Sequence, residues 1–566
     1  MNLNVRAKQE NTYDAIVVGS GISGGWAAKE LTEKGLKTIV LERGRKIDHP
    51  NGYENAMKHP WEFENRGKLT QEQLEKTKEK QKRLGYLRED IVNMFVNDVE
   101  NPYSEVKRFD WLRGYHTGGR SLMWGRQSYR LSPMDFEANA RDGFGVDWPI
   151  RYEDLAPWYD YVETFAGISG NKDGLAQLPD GKFLPPMEMN CLEKHVAKRI
   201  RETFDDRIMT IGRVANLTQP HNGRGQCMYR NACARGCPYG AYFSSLSATL
   251  PAAEKTGNLT LRPFSIVNSV IYDREKKKAV GVRVIDAETN EMIEYYAKII
   301  FLNASTLGTT FILLNSKSDV FPDGLGNTSG TLGHYLMDHH FRIGANGRYE
   351  GFEDQYYSGR RANGIYIPRF RNIKEQRTDY LRGFGYQGGG SRESWMRGVA
   401  EMGFGEEFKK RIVEPGPWRM GVTGFGECLP YFENKVTLNE EVRDKWGQPT
   451  LTMDCEFKEN EMAMRKDMMA SAVEMLEAAG LVDVQPYDAG SFPGQGIHEM
   501  GTCVMGKDKK TSMLNKWNQL HEVSNVFVTD GAAMASAGCQ NPSLTYMALT
   551  ARAVDYAVKE MNKLNL

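Results

Sequence analysis

The chain has 566 residues, enough for a sizeable core and for two domains or one elaborated α/β unit. Its 73 basic residues balance 73 acidic ones, which removes the electrostatic case for a nucleic-acid partner, and no run of about 18 apolar residues predicts a spanning helix. Eight cysteines in so long a chain make no disulfide framework, so their placement matters more than their number.

The opening residues, MNLNVRAKQENTYD, lack the apolar centre of a secretory signal, so export is expected to need a carrier subunit. An apolar run at 15–18 then predicts a buried parallel strand. Gly19, Gly21 and Gly24 follow as G-x-G-x-x-G at the start of a helical pattern, and a second strand at 38–41 ends on Glu42. Each part has a physical task. Gly19 permits the tight turn, Gly21 lets the backbone approach a pyrophosphate, and Gly24 lets helix and strand pack closely. The helix N-terminus offers free N–H groups to phosphates, and Glu42 stands where an acid accepts hydrogen bonds from a ribose. The pattern predicts a dinucleotide site without separating FAD from NAD.

Residues 65–90 are charged and helix-prone, and they predict a solvated surface helix inserted after the first β-α-β unit. The paired glycines of Thr117-Gly118-Gly119-Arg120-Ser121-Leu122-Met123-Trp124 suit a loop whose backbone meets a ligand, or a simple turn. Residues 152–154 read as the cap of a helix. Between His221 and Tyr242, Cys227, Cys233 and Cys237 stand as C-x5-C-x3-C, the last followed by proline. Crowded thiolates repel one another unless something positive binds them. An Fe–S cluster fits, with Arg224, Arg230 and Arg235 near to offset charge. Zinc with His221 as fourth ligand, a disulfide with one thiol spare, or three unconnected thiols are the alternatives, and Cys191 is a possible remote ligand.

Strands with a turn at 274–278 follow, and then a buried strand at 298–302 runs into a helix at 309–315. Residues 345–430 turn towards glycine, arginine and aromatics (Tyr356, Tyr357, Tyr386, Trp395, Trp418), as a second layer over a site would, and aromatic faces suit a sugar. An ordinary loop-rich sheet reads equally well. His498 lies in a glycine-bounded loop rather than on a helix face, and a strand ending at Asp530-Gly531 reads as the last of a Rossmann-like sheet.

Together these segments resemble the glucose–methanol–choline (GMC) oxidoreductases, FAD-dependent alcohol dehydrogenases and oxidases. The likeness runs from the first glycine motif through G333-H-Y-L-M-D-H-H340 and N434-K-V-T-L to H498-E-M-G-T-C and N541-P-S-L-T. It implies an α/β fold, with a Rossmann-like FAD domain (10–60, 105–135, 225–340 and 490–566) interleaved with a substrate domain on an antiparallel sheet (136–224 and 341–489), and a helical insertion at 61–104. It implies that His498 takes the hydroxyl proton and that Asn541 holds the same oxygen. FAD contacts are implied for Ser20, Ser23, Arg43, Gly118, Gly119, Ser121, Trp124, Val267, Asp530, Gly531, Asn541, Ser543, Leu544 and Thr545, beside the motif residues above. Met123 replaces the histidine that links flavin covalently in some members, so dissociable FAD is expected.

The cysteine loop resembles that of the sugar-dehydrogenase branch, which includes glucoside 3-dehydrogenases. There those cysteines hold a 3Fe–4S cluster, a small partner subunit carries the export signal, and a cytochrome takes the electrons. A periplasmic enzyme oxidising a sugar or glycoside at C3 is the expectation, or a cytoplasmic one without such a partner. The rivals are a sugar dehydrogenase acting at another carbon, an oxygen-using oxidase, and a non-catalytic electron-transfer subunit.

Overall fold

The computed structural model describes residues 9–65, 67–356, 361–393 and 404–566; Tyr357 and Trp395 lie outside them. The first unit is as expected: β1 (Thr12–Val18), α1 (Ile22–Glu33) and β2 (Thr38–Leu41). β1 pairs in parallel with β2 on one side, and with the end of the long strand Met292–Leu302 on the other. Alternation sorts the side chains of β1 between two cores. Ala15 and Val17 pack with Ala27, Leu31 and Val554, whereas Ile16 and Val18 pack with Leu302, Leu307 and Ile312. Two glycines inside α1 lower its intrinsic propensity by about 1 kcal/mol each. The structure needs both, because a Cβ on Gly24 would stand 1.9 Å from the Gly19 carbonyl oxygen and one on Gly25 would stand 2.5 Å from Thr249 Oγ1.

The sheet continues with β3 (Leu259–Arg262) beside β2, and with a meander of β4 (Ser265–Asp273), β5 (Lys278–Asp286) and β6 (Met292–Leu302). The short strand Val526–Val528 pairs with the end of β6. Helix α2 (Thr306–Asn315) starts three residues earlier than the sequence pattern predicts, since Thr306 and Leu307 are already buried.

A second, antiparallel sheet holds β7 (His340–Tyr349), β8 (Ile365–Ile367), β9 (Phe384–Arg392), β10 (Trp418–Gly426) and the strand Val482–Asp488, with Thr210–Ile211 at its edge. Helix α3 (Glu459–Ala478) and helix Cys191–Thr203 cover one face of it. Met464, Met468, Ala472 and Met475 of α3 meet Ile343, Tyr386, Trp418 and Val422 there. Two of the aromatics read as suiting a sugar are therefore misassigned. Tyr386 and Trp418 belong to this dry core, and Tyr356 is exposed.

The surface helix expected over 65–90 is a helix of seven residues, Gln71–Thr77, and a 3-10 turn, Gln81–Leu84. Lys78 ends the first by turning inward, where its ammonium donates to the carbonyls of Phe95 and Val96. Leu84, Ile91, Phe95 and Leu112 form a small core beneath. Among the described residues no helix is long and apolar enough to cross a membrane.

Candidate active site

A cavity of about 560 Å³ lies between the two sheets. Three helix N-termini open onto it: α1 after Gly21, α2 after Ser305, and α4 (Ser543–Asn562) after Pro542. None has a side-chain cap, so each offers free N–H groups and the positive end of its dipole to the cavity, as suits an anionic ligand. The three motif glycines differ in kind. Gly19 sits at φ +90° with the Asn303 carbonyl where its Cβ would be, and Gly24 is packed against Gly19. A Cβ on Gly21 meets nothing within 4 Å and would stand in the cavity itself. That is the cradle a pyrophosphate fits.

Around this cradle stand Ser20, Ser23, Glu42, Arg43, Gly119, Ser121, Trp124, Val267, Asp530, Gly531 and Ser543. The Glu42 carboxylate accepts from the Ser20 N–H at 3.1 Å, the Ser20 hydroxyl at 2.5 Å and the Gly44 N–H at 2.9 Å, and burial pushes its pKa up. Asp530 accepts from Thr309 Oγ1 at 2.6 Å and from the Ala532 N–H at 3.0 Å. Burial raises its pKa to about 6. Gly118, Leu544 and Thr545 do not line the cavity. Gly118 turns the loop at φ +85°, Leu544 lies in the core, and the Thr545 hydroxyl bonds Tyr159 at 2.8 Å.

At the far end of the cavity a chain of hydrogen bonds runs through His498. The Gly538 carbonyl can only accept, so His339 donates to it from Nε2 at 2.8 Å. His339 Nδ1 is then a lone pair, and it accepts the Nδ1–H of His498 at 2.8 Å. That leaves His498 Nε2 as a lone pair, 3.2 Å from Asn541 Nδ2. Asn541 Oδ1 in turn accepts from Gln387 Nε2 at 2.6 Å. Burial, with His339 and Arg120 nearby, holds the His498 pKa well below its ordinary value, and burial lowers that of His339 to about 4. Both rings are neutral at neutral pH. The arrangement presents a proton acceptor and an amide donor side by side.

Asp338 fixes the loop that carries His498. Its carboxylate accepts the N–H groups of His339 and Gly494, both at 2.8 Å, of Gly496 at 2.9 Å and of His498 at 3.0 Å. Ile497, between the last two, is held at φ +60°, a conformation a β-branched residue adopts only under constraint. Burial and the Glu499 carboxylate push Asp338 up to about 7. Glu499, itself buried, forms a bidentate pair with the partly exposed Arg120 at 2.7 and 3.1 Å. Asp338, His339 and Gln387 carry no role in the sequence reading. The D-H-H run is visible in the chain, but its 159-residue separation from His498 hides the contact.

The wall beside His498 is apolar. Phe425 and Phe341 stack with centroids 5.3 Å apart, and both line the cavity. Phe341 reaches it because β7 bulges. Ile343 pairs with Gly424 and His340 with Gly426, so two residues face one, and Arg342 takes φ +64°. Tyr86, Arg88, Ile91 and Phe95 also line the cavity, so the segment read as a solvated insertion reaches the site.

Cys227, Cys233 and Cys237 line one small separate cavity of about 30 Å³, with Arg230, Tyr239 and Tyr242. All eight cysteines are free thiols. Burial raises the Cys227 pKa, and Cys233 and Cys237 raise it further. Neither Cys191 nor His221 lines this cavity, and Cys191 opens a helix on the second sheet. Arg224 donates to the Ala166 carbonyl and Arg235 pairs with Asp90, so of the three arginines only Arg230 lines it. Among the described residues no three His, Cys, Asp or Glu side chains converge as a single metal ion requires. Ala234, between two of the cysteines, lines the large cavity.

Comparison with known proteins agrees with this architecture. The GMC oxidoreductase N-terminal model matches residues 13–341 and the C-terminal model residues 430–550. A 2-methyl-1,2-propanediol dehydrogenase of Mycolicibacterium austroafricanum is 29% identical over 96% of this chain and 94% of its own. The fructose dehydrogenase large subunit of Gluconobacter japonicus is 25% identical over 97% of this chain and 98% of its own. A structure of Aspergillus oryzae RIB40 formate oxidase, solved to study FAD modification, shares the fold with a TM-score of 0.59 at 14% identity, covering 98% of this chain and 99% of that one. Two family models spanning most of the sequence, over a cavity that joins a dinucleotide cradle to a paired histidine and amide, make this chain a member of the GMC oxidoreductases, enzymes that oxidise CH–OH groups.

Proposed function

We propose that this chain is a dehydrogenase that oxidises a secondary hydroxyl of a sugar or glycoside, at C3, to the ketone. The observation that carries the reading is the neutral His498, its Nε2 facing the cavity beside Asn541. FAD, bound without a covalent link, would lie along the cradle of Gly19, Ser20, Gly21 and Glu42 towards Val267, with Asp530, Gly531 and the start of α4 along its length. When bound, it supplies the acceptor for the carbinol hydride.

The protein's part is the proton and the orientation. His498 Nε2 takes the hydroxyl proton as the C–H bond breaks, and Asn541 Nδ2 donates to the same oxygen. Phe341 and Phe425 give the C–H face of a sugar an apolar wall and exclude water. The division into an FAD domain and a substrate domain, at the boundaries given above, belongs to this reading. So do the contacts assigned to Gly118, Leu544 and Thr545, which would support the cradle from behind.

A 3Fe–4S cluster on Cys227, Cys233 and Cys237 is part of the same proposal. Its support is three thiols about one cavity, and Ala234 bordering the other. It would pass electrons out towards an external acceptor such as a cytochrome. A relative named as a large subunit supports a small accessory subunit here, and with it a periplasmic site reached through that partner.

The test is a panel of glycosides turned over with an artificial acceptor, the product then assigned by NMR. A 3-keto-glycoside is expected. A keto group at another carbon would move the position of oxidation, and turnover only with oxygen, giving peroxide, would favour a sugar oxidase.

A further inference from the structure

The hydrogen-bond chain through His498 has a direction, and it ends on Gln387. Starting from the Gly538 carbonyl, each group is forced to accept from the next: His339 donates to Gly538, His498 to His339, Asn541 to His498, and Gln387 to Asn541. Gln387 spends one amide N–H on Asn541 Oδ1 at 2.6 Å. Its carbonyl Oε1 is left as an acceptor, and the residue lines the large cavity.

Its position follows from strand period. Tyr386 points into the core under α3, so Gln387 points to the opposite face, towards the cavity. Three glycines follow it, at 388–390, so no neighbouring side chain on the strand shields it. Gln387 thus stands one amide length beyond the group that holds the reacting oxygen.

We propose that Gln387 Oε1 accepts a hydrogen bond from a second substrate hydroxyl, on the carbon next to the one oxidised, so that the site selects vicinal diols and polyols over isolated alcohols. Gln387 is then a specificity residue with two faces. Its N–H orients Asn541, and its carbonyl reads the neighbouring O–H. A hydroxyl there completes a hydrogen bond to a half-buried carbonyl of the cavity wall. An analogue lacking it leaves the carbonyl without a donor, and a site built to bond a hydroxyl discriminates strongly against its absence.

This inference rests on the alcohol-oxidising reading above. Its test is flavin reduction in the holoenzyme by methyl α-D-glucopyranoside and its 2-, 3-, 4- and 6-deoxy derivatives, for wild type and for Gln387→Met. Methionine keeps the length and apolar contacts but offers no amide. In the wild type one derivative is inert, having lost the reacting hydroxyl, and a derivative lacking an adjacent hydroxyl is slower in kcat/KM by roughly tenfold. In Gln387→Met that adjacent penalty disappears, while the parent glucoside is slowed. If Gln387 only supports Asn541, the variant slows every substrate alike and the penalty stays, which overturns the inference and leaves the function intact. No wild-type flavin reduction by any of these compounds overturns the sugar-oxidising reading, and this inference with it.

Discussion

In the proposed reaction His498 is the base, and what lies behind it suits it to that part. An exposed histidine titrates near pH 6.5, and below that value it carries the proton that catalysis needs it to receive. Here burial, His339 and Arg120 lower the pKa, so the ring stays neutral further into acid. The sign is direct: lowering the pKa of a base moves the loss of activity to lower pH. Flavin reduction by substrate should therefore stay level as pH falls through 6.5, where a free imidazole would already be half protonated. Stopped-flow rates between pH 8 and 5 check this, and a half-maximal rate near 6.5 would contradict it. His339→Gln should keep most of that rate, because a glutamine amide can both donate to Gly538 and accept from His498. His339→Leu should lose about 100-fold, with flavin retained, since the tautomer and ring position are then unset.

At the scale of elements, the parts written in local pattern were legible. The strand, turn and helix from Thr12 to Glu33 follow from an apolar run and three spaced glycines, and Thr38–Leu41 from three apolar residues behind a threonine. His498 and Asn541 were legible only as motif, because nothing local says that they meet. Gln387 and Phe341 were not legible. Which face of a strand turns to a cavity depends on what packs on the other face, and a bulge at Arg342 reverses the parity for Phe341. The platform expected from Tyr386 and Trp418 failed for the same reason: α3 covers that face.

The cysteine loop was legible as a cluster of thiols, and its partners were not. Its three thiols are half-buried around one small cavity, and burial together with the other two raises the Cys227 pKa, which opposes a thiolate there unless a cation binds it. If that cation is iron, anaerobically purified protein should hold about three irons per flavin and show the EPR signal of an oxidised three-iron cluster. Cys233→Ser should lose the signal and the delivery of electrons to a cytochrome, yet keep substrate-driven flavin reduction. Stoichiometric zinc, or full cytochrome reduction by the variant, would contradict the relay.

At the scale of the whole molecule, the two large sheets supply opposite walls of one cavity. Helix ends beside the mixed sheet border the cavity where the proposed cofactor would lie, and the antiparallel sheet turns Gln387, Phe341 and Phe425 to the part where the proposed substrate would lie. His498 and Asn541 stand at the seam, on segments that follow the substrate sheet in sequence. Alcohol oxidation requires both halves at once, since hydride and proton leave the substrate towards different groups. The most direct measurement is anaerobic mixing of the holoenzyme with a glycoside substrate, following the flavin absorbance in wild type and in His498→Ala. The account predicts bleaching in the wild type, with one keto product per reduced flavin, and bleaching slower by about 100- to 10,000-fold in a variant that retains its flavin. Equal rates in the two proteins, or a wild-type flavin that no glycoside bleaches, would contradict it.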